Sequence, residues 1–470
     1  MTKEFSVPPN YKVTGDTEID GNPLLAHLPA EPDDDKECYK RLMLALPFDA
    51  SERTGRQSLR RRRIQQLARF FVPADPVYAD ALKTISSNFV ESYIHRNPMT
   101  AEGQAQLHGR GASTTFRPGI CLISGMSGMG KSTLCDRVLN ALGPHVTRHE
   151  SFHGVPFPEM QILYLRRNIP PNCTPARLAR TFGTYVDQIT QLPMYADQFN
   201  KLRKKGGGQD VYLEAVARIC SAHHVGGLVL DEIQNLLGAG FQKDRVIELL
   251  VNLRDEGGLP IILVGTLKAL RLLEGDFAPA RRLTQGGYFE LVRPTSSHDP
   301  VWEATCKKAW AYQWLQEPRD FDESIVEALY EHSQGVTGVM ITLLQKAQVL
   351  ALDEGKETMD REMLRRAFEE KMQPLHRGIR LLKAGMIDNW EDATANHWPK
   401  ERQYEDPASA ELDVAVATAP ALMTRSKATG KTSKKDTPGQ ERIIKMTPEK
   451  VREQVTDSNS MRDIISILKG

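Results

Sequence analysis

Ile120-Cys121-Leu122-Ile123-Ser124-Gly125-Met126-Ser127-Gly128-Met129-Gly130-Lys131-Ser132-Thr133-Leu134 is the stretch on which the reading of the chain turns. An apolar run ends at Gly125, four residues follow, and Gly130-Lys131-Ser132 opens a segment with helical spacing. This is the G-x-x-x-x-G-K-[ST] phosphate-binding loop, set in the strand-then-helix context its chemistry requires. Glycines allow the backbone N–H groups of Gly125, Ser127, Gly128, Met129 and Gly130 to turn inward on a polyphosphate. That anion also meets the positive end of the helix starting near Lys131. Lys131 is placed to reach the terminal phosphates and Ser132 to ligate Mg²⁺ through its hydroxyl. A glycine-rich turn matching by chance is the bland alternative, and the flanking strand and helix argue against it.

Downstream, Gly227-Leu228-Val229-Leu230-Asp231-Glu232-Ile233 predicts an apolar strand ending in two acids. Asp231 is positioned to hold Mg²⁺ directly or through water. Glu232 is positioned to polarise an attacking water, which needs a carboxylate within hydrogen-bond reach. An apolar run followed by Asp-Glu is common by itself; it gains weight as the strand-ending acid pair downstream of a phosphate loop. Leu259-Pro260-Ile261-Ile262-Leu263-Val264-Gly265-Thr266 predicts a strand ending in a hydroxyl, suited to the γ-phosphate or the lytic water. Thr266 is equally suited to cap a helix over 267–274, and the two roles are compatible. Beyond it, Arg281-Arg282 stand where an arginine finger would reach a neighbouring subunit's nucleotide, ahead of a last strand at 288–291.

The remainder divides by pattern. Residues 1–35 are polar and proline-rich, and read as an extended arm with short apolar anchors such as Pro23-Leu24-Leu25. Helical spacing follows at 39–47, 58–71 and 76–93, and Ile94 to Pro98 is placed as a wall of the base pocket. Arg60-Arg61-Arg62-Arg63 admit two readings, a salt-bridged helix start or a patch for phosphates or an acidic partner. Gln161-Ile162-Leu163-Tyr164-Leu165 predicts one buried strand, followed by Arg166-Arg167. Helices at 175–192 and 195–222 flank Lys201-Leu202-Arg203-Lys204-Lys205-Gly206-Gly207-Gly208, either a mobile loop near a polyanion or an ordinary solvated one. Strands alternate with helices up to 291. From 294 the chain reads as helix only, at 300–316, 322–333, 338–352 and 360–370. The expected fold is therefore α/β, a parallel sheet with a helical lid. The expected parts are an arm and helical extension (1–100), the α/β core (101–293), the lid (294–385) and a flexible linker with a partner-binding tail (386–470). Within that tail, 424–440 is basic and polar, and Met461 to Leu468 is an amphipathic hook suited to docking on a partner.

Sixty-one Lys+Arg against sixty Asp+Glu give a net charge of +1, so any nucleic-acid contact has to come from local clusters. Six scattered cysteines show no C-x-x-C and no metal spacing, which suits reduced thiols without zinc. No stretch approaches the ~20 apolar residues of a membrane span, and the expectation is a soluble, intracellular protein.

The order of phosphate loop, Leu-Asp-Glu strand, Val-Gly-Thr strand, Arg-Arg pair and helical lid resembles an AAA+ ATPase. More closely, the chain is similar to the TnsC/TniB ATPases that regulate DNA transposition in TnsABCD-type and CRISPR-associated elements. The residues carrying this are Gly21-Asn22-Pro23-Leu24, Tyr93-Ile94-His95-Arg96-Asn97-Pro98, the phosphate loop, Val229 to Gln234, Val264-Gly265-Thr266 with Leu270-Arg271-Leu272-Leu273, and Arg281-Arg282. The resemblance covers about residues 20–370. It implies ATP and Mg²⁺ bound at subunit interfaces, and ring or filament homo-oligomers around duplex DNA in a bacterial cytoplasm. It also implies relay from a TnsD/TniQ-like or RNA-guided targeting partner to a TnsA/TnsB-like transposase. Carried over, Gly130, Lys131, Ser132 and Thr133 bind phosphate and Mg²⁺, Asp231 and Glu232 are the metal and hydrolysis acids, Thr266 is a sensor, and Arg281 or Arg282 is the finger. The lid departs from the pattern: Gly338 is followed by Val339-Met340-Ile341-Thr342, with no arginine where many AAA+ proteins carry a second sensor. No motif fixes the DNA contacts; Arg166, Arg167, Arg177, Arg180, Lys204 and Lys205 are the candidate cations for backbone tracking. A protein-only AAA+/STAND switch that never touches DNA is the alternative.

Overall fold

The structure, a computed structural model, describes residues 6–43, 48–107, 117–204, 206, 208–272, 282–386 and 390. Arg281, Lys205 and the tail beyond 390, with its basic segment and hook, lie outside the described residues.

The strands of the central sheet are β1 (Ile120–Gly125), β2 (Tyr164–Asn168), β3 (Gly227–Asp231), β4 (Ile261–Val264) and β5 (Gly287–Leu291). They pair in the order β2-β3-β4-β1-β5, every pair parallel. A parallel strand buried on both faces reads as a continuous apolar run, and β1, β3 and β4 are buried at every position. Alternate residues serve opposite faces. Ile120, Leu122, Leu228, Leu230, Ile261 and Leu263 enter one core with Leu178, Phe182, Val216, Ile219, Leu249 and Leu250. Those partners lie on three helices, 175–190, 209–222 and 242–257.

In chain order the longer helices are α1 (Gln57–Phe70), α2 (Val77–His95), α3 (Lys131–Leu142), α4 (Pro175–Thr190), α5 (Tyr195–Lys204), α6 (Gln209–Ala222) and α7 (Gln242–Gly257). The lid follows with α8 (Pro300–Trp310), α9 (Glu323–Ser333), α10 (Thr337–Asp353) and α11 (Arg361–Lys371). A second compact unit begins at Pro374, and helix α12 (His376–Lys383) belongs to it.

One expectation is corrected here, and of two readings left open for the arginine run the salt-bridged one holds. The single strand expected at 161–165 is two. Met160–Ile162 pairs antiparallel with Val146–Arg148, and only from Tyr164 does the chain enter the sheet. The break falls where Ile162 and Leu163 give their N–H groups to the His223 and His145 carbonyls. Arg166 and Arg167 consequently lie within β2 and not beyond it. The arginine run on α1 is an intramolecular fastening: Arg60 chelates Glu357 at 2.6 and 3.0 Å, Arg61 pairs with Asp353, and Arg63 pairs with Glu52. Gln57 and Gln345 add hydrogen bonds between α1 and α10. Of the four arginines, only Arg62 is fully exposed.

Candidate nucleotide site

The loop between β1 and α3 is built on three left-handed glycines, Gly125 (φ 150°), Gly128 (φ 87°) and Gly130 (φ 97°). Side chains are excluded there for steric reasons as well: a Cβ on Gly125 would sit 2.8 Å from the Leu291 carbonyl oxygen. Gly130 is the N-cap of α3 and offers no side chain, so the first N–H groups of that helix keep their capacity for an anion. Lys131 Nζ donates to the Met126 carbonyl across the loop at 2.8 Å. From the lid, the Gly338 N–H at the start of α10 donates to the Gly128 carbonyl at 2.8 Å, where a Cβ on Gly338 would also clash. What the lid presents to the loop at Gly338 is therefore backbone.

Parallel pairing brings the other candidates to the same edge of the sheet. Asp231, 8% exposed, closes β3. Its Oδ1 accepts the Glu232 N–H at 2.9 Å, and its Oδ2 accepts the Ser132 hydroxyl at 3.4 Å. Glu232 is exposed and held at φ 59°, a left-handed conformation unusual for a residue with a Cβ. Such a conformation costs ~1–3 kcal/mol and persists where the surroundings over-determine it. Gln234 supplies part of that constraint. Its amide donates to Glu232 Oε2, and its carbonyl oxygen accepts the Thr266 N–H at 3.1 Å. Gly265 leaves room for this bridge, since a Cβ there would stand 2.9 Å from Gln234 Oε1. The expected capping role of Thr266 is not taken up: its Oγ1 is buried without a partner among the described residues, and the following turn is a 3-10 helix, Leu267–Leu272.

Gln234 carried no role in the sequence reading. Its signal was position alone, two residues beyond Glu232. Arg166, a candidate cation for DNA-backbone tracking, instead turns into the fold: its Nη2 donates to Asp231 Oδ2 at 3.0 Å and its Nη1 pairs with Asp136 of α3. Arg167 stacks on Tyr185, 4.6 Å from the ring centroid, and donates to the Thr181 carbonyl. Arg177, Arg180 and Arg203 line an open cavity of about 340 Å³ with Phe199, Asn200 and Tyr212. Arg177 donates to the Pro171 carbonyl. Arg180, Arg203 and Lys204 are exposed. Arg282 is exposed and its carbonyl accepts from Arg254.

Ile94 to Pro98 does not wall this site. Arg96 donates to the Val225 and Gly226 carbonyls ahead of β3, at the strand end opposite Asp231. Asn97 and Tyr93 there meet Gly21 and Asn22 of the arm, through Asn97 Nδ2 to the Gly21 carbonyl and Asn22 Nδ2 to the Tyr93 carbonyl. Two of the sequence pieces that carry the resemblance thus clasp each other. It is the other end of α2 that touches the loop, where Tyr78 donates to the Gly130 carbonyl at 3.4 Å.

A family model described as an AAA domain matches residues 114–273. No curated protein matches the chain. Among solved structures the chain is similar to the Aeropyrum pernix ORC2 protein in ADPNP–ADP complexes, at 15% identity, covering 74% of this chain and 87% of that one, with a TM-score of 0.41. The A. pernix ORC1 protein in complex with DNA gives 16%, 73%, 84% and 0.40. The Thermotoga maritima RuvB Holliday junction branch migration motor gives 13%, 71%, 94% and 0.35. With the loop, the five-stranded parallel sheet and the domain match, the fold is that of an AAA+ P-loop ATPase, a nucleotide-binding architecture. No single helix among the described residues is long and apolar enough to cross a membrane.

Proposed function

We propose that this chain is an ATP- and Mg²⁺-dependent AAA+ regulator of DNA transposition that multimerises on duplex DNA. In this role it links a TnsD/TniQ-like target selector to a TnsA/TnsB-like transposase. The observation carrying the ATPase part is the convergence of the glycine loop, Ser132, Asp231, Glu232 and the partnerless Thr266 hydroxyl on one sheet edge. The transposition part rests on the sequence resemblance.

The donor set fits a magnesium nucleotide: uncapped helical N–H groups for phosphate, a hydroxyl and a carboxylate oxygen for a hard cation, and an unused hydroxyl beyond them. When bound, Mg²⁺ neutralises charge on the phosphates. The chain does the rest. Gly125, Ser127, Gly128, Met129, Gly130 and Thr133 shape the cradle, and Lys131 exchanges its Met126 carbonyl for phosphate oxygen. Glu232, fixed by Gln234, takes the proton of the attacking water. Thr266 reports the γ-phosphate through the same Gln234 to Glu232, and Arg281 or Arg282 completes a neighbouring subunit's site. For DNA, a run of cations without base readout suits backbone tracking. Arg177, Arg180, Lys204 and Lys205 remain the candidates, now with Arg203, whereas the guanidiniums of Arg166 and Arg167 are engaged within the fold.

Electron microscopy of the protein on duplex DNA tests this, comparing a non-hydrolysable ATP analogue with ADP. Rings or filaments on DNA with the analogue alone are expected. Assemblies indifferent to DNA would instead favour a protein-only switch.

A further inference from the structure

We propose that Arg166 competes with the divalent cation for Asp231, so that a residue of the neighbouring strand sets how much Mg²⁺ nucleotide binding requires. This rests on the reading of Asp231 as the metal carboxylate. The registers place Asn168 beside Asp231, and Arg166 lies two residues earlier on the same face of β2. From there Nη2 reaches Asp231 Oδ2 at 3.0 Å, the oxygen that also faces the Ser132 hydroxyl. Oδ1 is taken by the Glu232 N–H. The Asp231 oxygen that would face Mg²⁺ beside the Ser132 hydroxyl is therefore the one the guanidinium holds.

A guanidinium and a divalent cation repel each other at a shared oxygen, and the repulsion is strong where water is scarce. Asp231 is buried, and the Arg166 side chain keeps 22% exposure. Magnesium demands near-ideal octahedral geometry and tolerates no crowding. Arg166 can give way because its other arm already rests on Asp136, which is 56% exposed and belongs to the phosphate-loop helix. Asp136 thus offers the displaced charge a partner, and a cation arriving at Asp231 transfers the arginine from one carboxylate to the other.

The test is binding of a fluorescent ATP analogue to the full chain, titrated with free Mg²⁺. Arg166→Gln is expected to lower the Mg²⁺ midpoint about threefold to fivefold, the scale of a partly exposed ion pair. Asp136→Asn is expected to raise it, because the arginine then has Asp231 alone, and this variant carries the test if Arg166→Gln does not fold. An Arg166→Gln midpoint that rises would mean the arginine aligns Asp231 for the metal, and would overturn the proposal. An unchanged midpoint accompanied by weaker, less salt-sensitive duplex binding would make Arg166 a DNA contact and overturn it equally. Asp231→Asn separates the two levels. If that variant keeps the wild-type Mg²⁺ midpoint, the metal assignment itself fails, whatever Arg166→Gln does.

Discussion

At the exit of β3 and β4, the Thr266 hydroxyl is buried with no partner among the described residues, Glu232 is held in a left-handed conformation, and α3 begins without a side-chain cap. At the entry of β3, the Arg96 guanidinium is buried yet matched. It donates to the carbonyls of Ser92, Val225 and Gly226 and to the Ser92 hydroxyl, over the Tyr93 ring. The two ends are about 16 Å apart along the same strand, at ~3.3 Å per residue. The exit leaves open groups that suit a magnesium nucleotide, whereas at the entry the Arg96 guanidinium binds chain to chain. His27 Nε2 and His224 Nδ1 are nonetheless buried there without a partner among the described residues, and His224 is also left-handed (φ 43°). A buried polar group is costly unless paired, and what sets the exit apart is the kind of group left open, a hydroxyl beside helical N–H donors that fit a phosphate.

The sharpest way to break this contrast is Glu232→Gln. Removing a general base lowers turnover by ~10²–10⁴, and because Glu232 is exposed, nucleotide binding and the melting temperature should stay near wild type. Gln234→Ala should cost about tenfold in turnover through the lost hydrogen bonds to Glu232 and Thr266. Steady-state hydrolysis beside nucleotide binding checks both. A Glu232→Gln protein with normal turnover would remove the exit end from the chemistry.

Arg96→Met attacks the opposite end. It strands the Val225 and Gly226 carbonyls, at ~1–3 kcal/mol for each unsatisfied group, so a loss of about 3 kcal/mol in denaturant unfolding is expected. Below the melting transition, nucleotide affinity should be unchanged. A variant that folds normally but binds ATP poorly would return this segment to the base pocket.

That segment shows why part of the molecule was legible and part was not. The phosphate loop and the strand-ending acids are local patterns whose chemistry is complete within a few residues, and β1, β3 and β4 emerged from unbroken apolar runs. Ile94 to Pro98 precede the loop in sequence and so looked adjacent to it. The 19 residues of α2 span about 28 Å at ~1.5 Å per residue, and they carry the chain away from Tyr78 at the loop to Arg96 at the far end. Arg166 was misread for a related reason: in sequence it follows apolar residues like any surface cation, and only strand register sets it beside Asp231. Gln234 bridges two strand ends that the sequence separates by a whole helix.

The smallest expected effect of a single group concerns pH, and again it belongs to the clasp end. Burial pulls His27 down to about 4, helped by the nearby His149, and burial with Arg96 and the neighbouring histidines does the same to His224. Burial lowers His149 as well, against the opposing pull of Gln161 Oε1 3.1 Å from its Nε2. A histidine whose folded value lies below its unfolded 6.5 binds fewer protons folded than unfolded between about 4 and 6.5. Stability is then fully present above pH 6.5 and drains away as pH falls toward 4. Between pH 7 and pH 5 the loss should be on the order of 2 kcal/mol for each of His27 and His224, read from denaturant midpoints. His27→Gln and His224→Gln should each flatten that slope. Denaturant curves that superimpose at the two pH values would show that these histidines charge freely in the folded protein, and that the entry end of the sheet is more open to water than its packing implies.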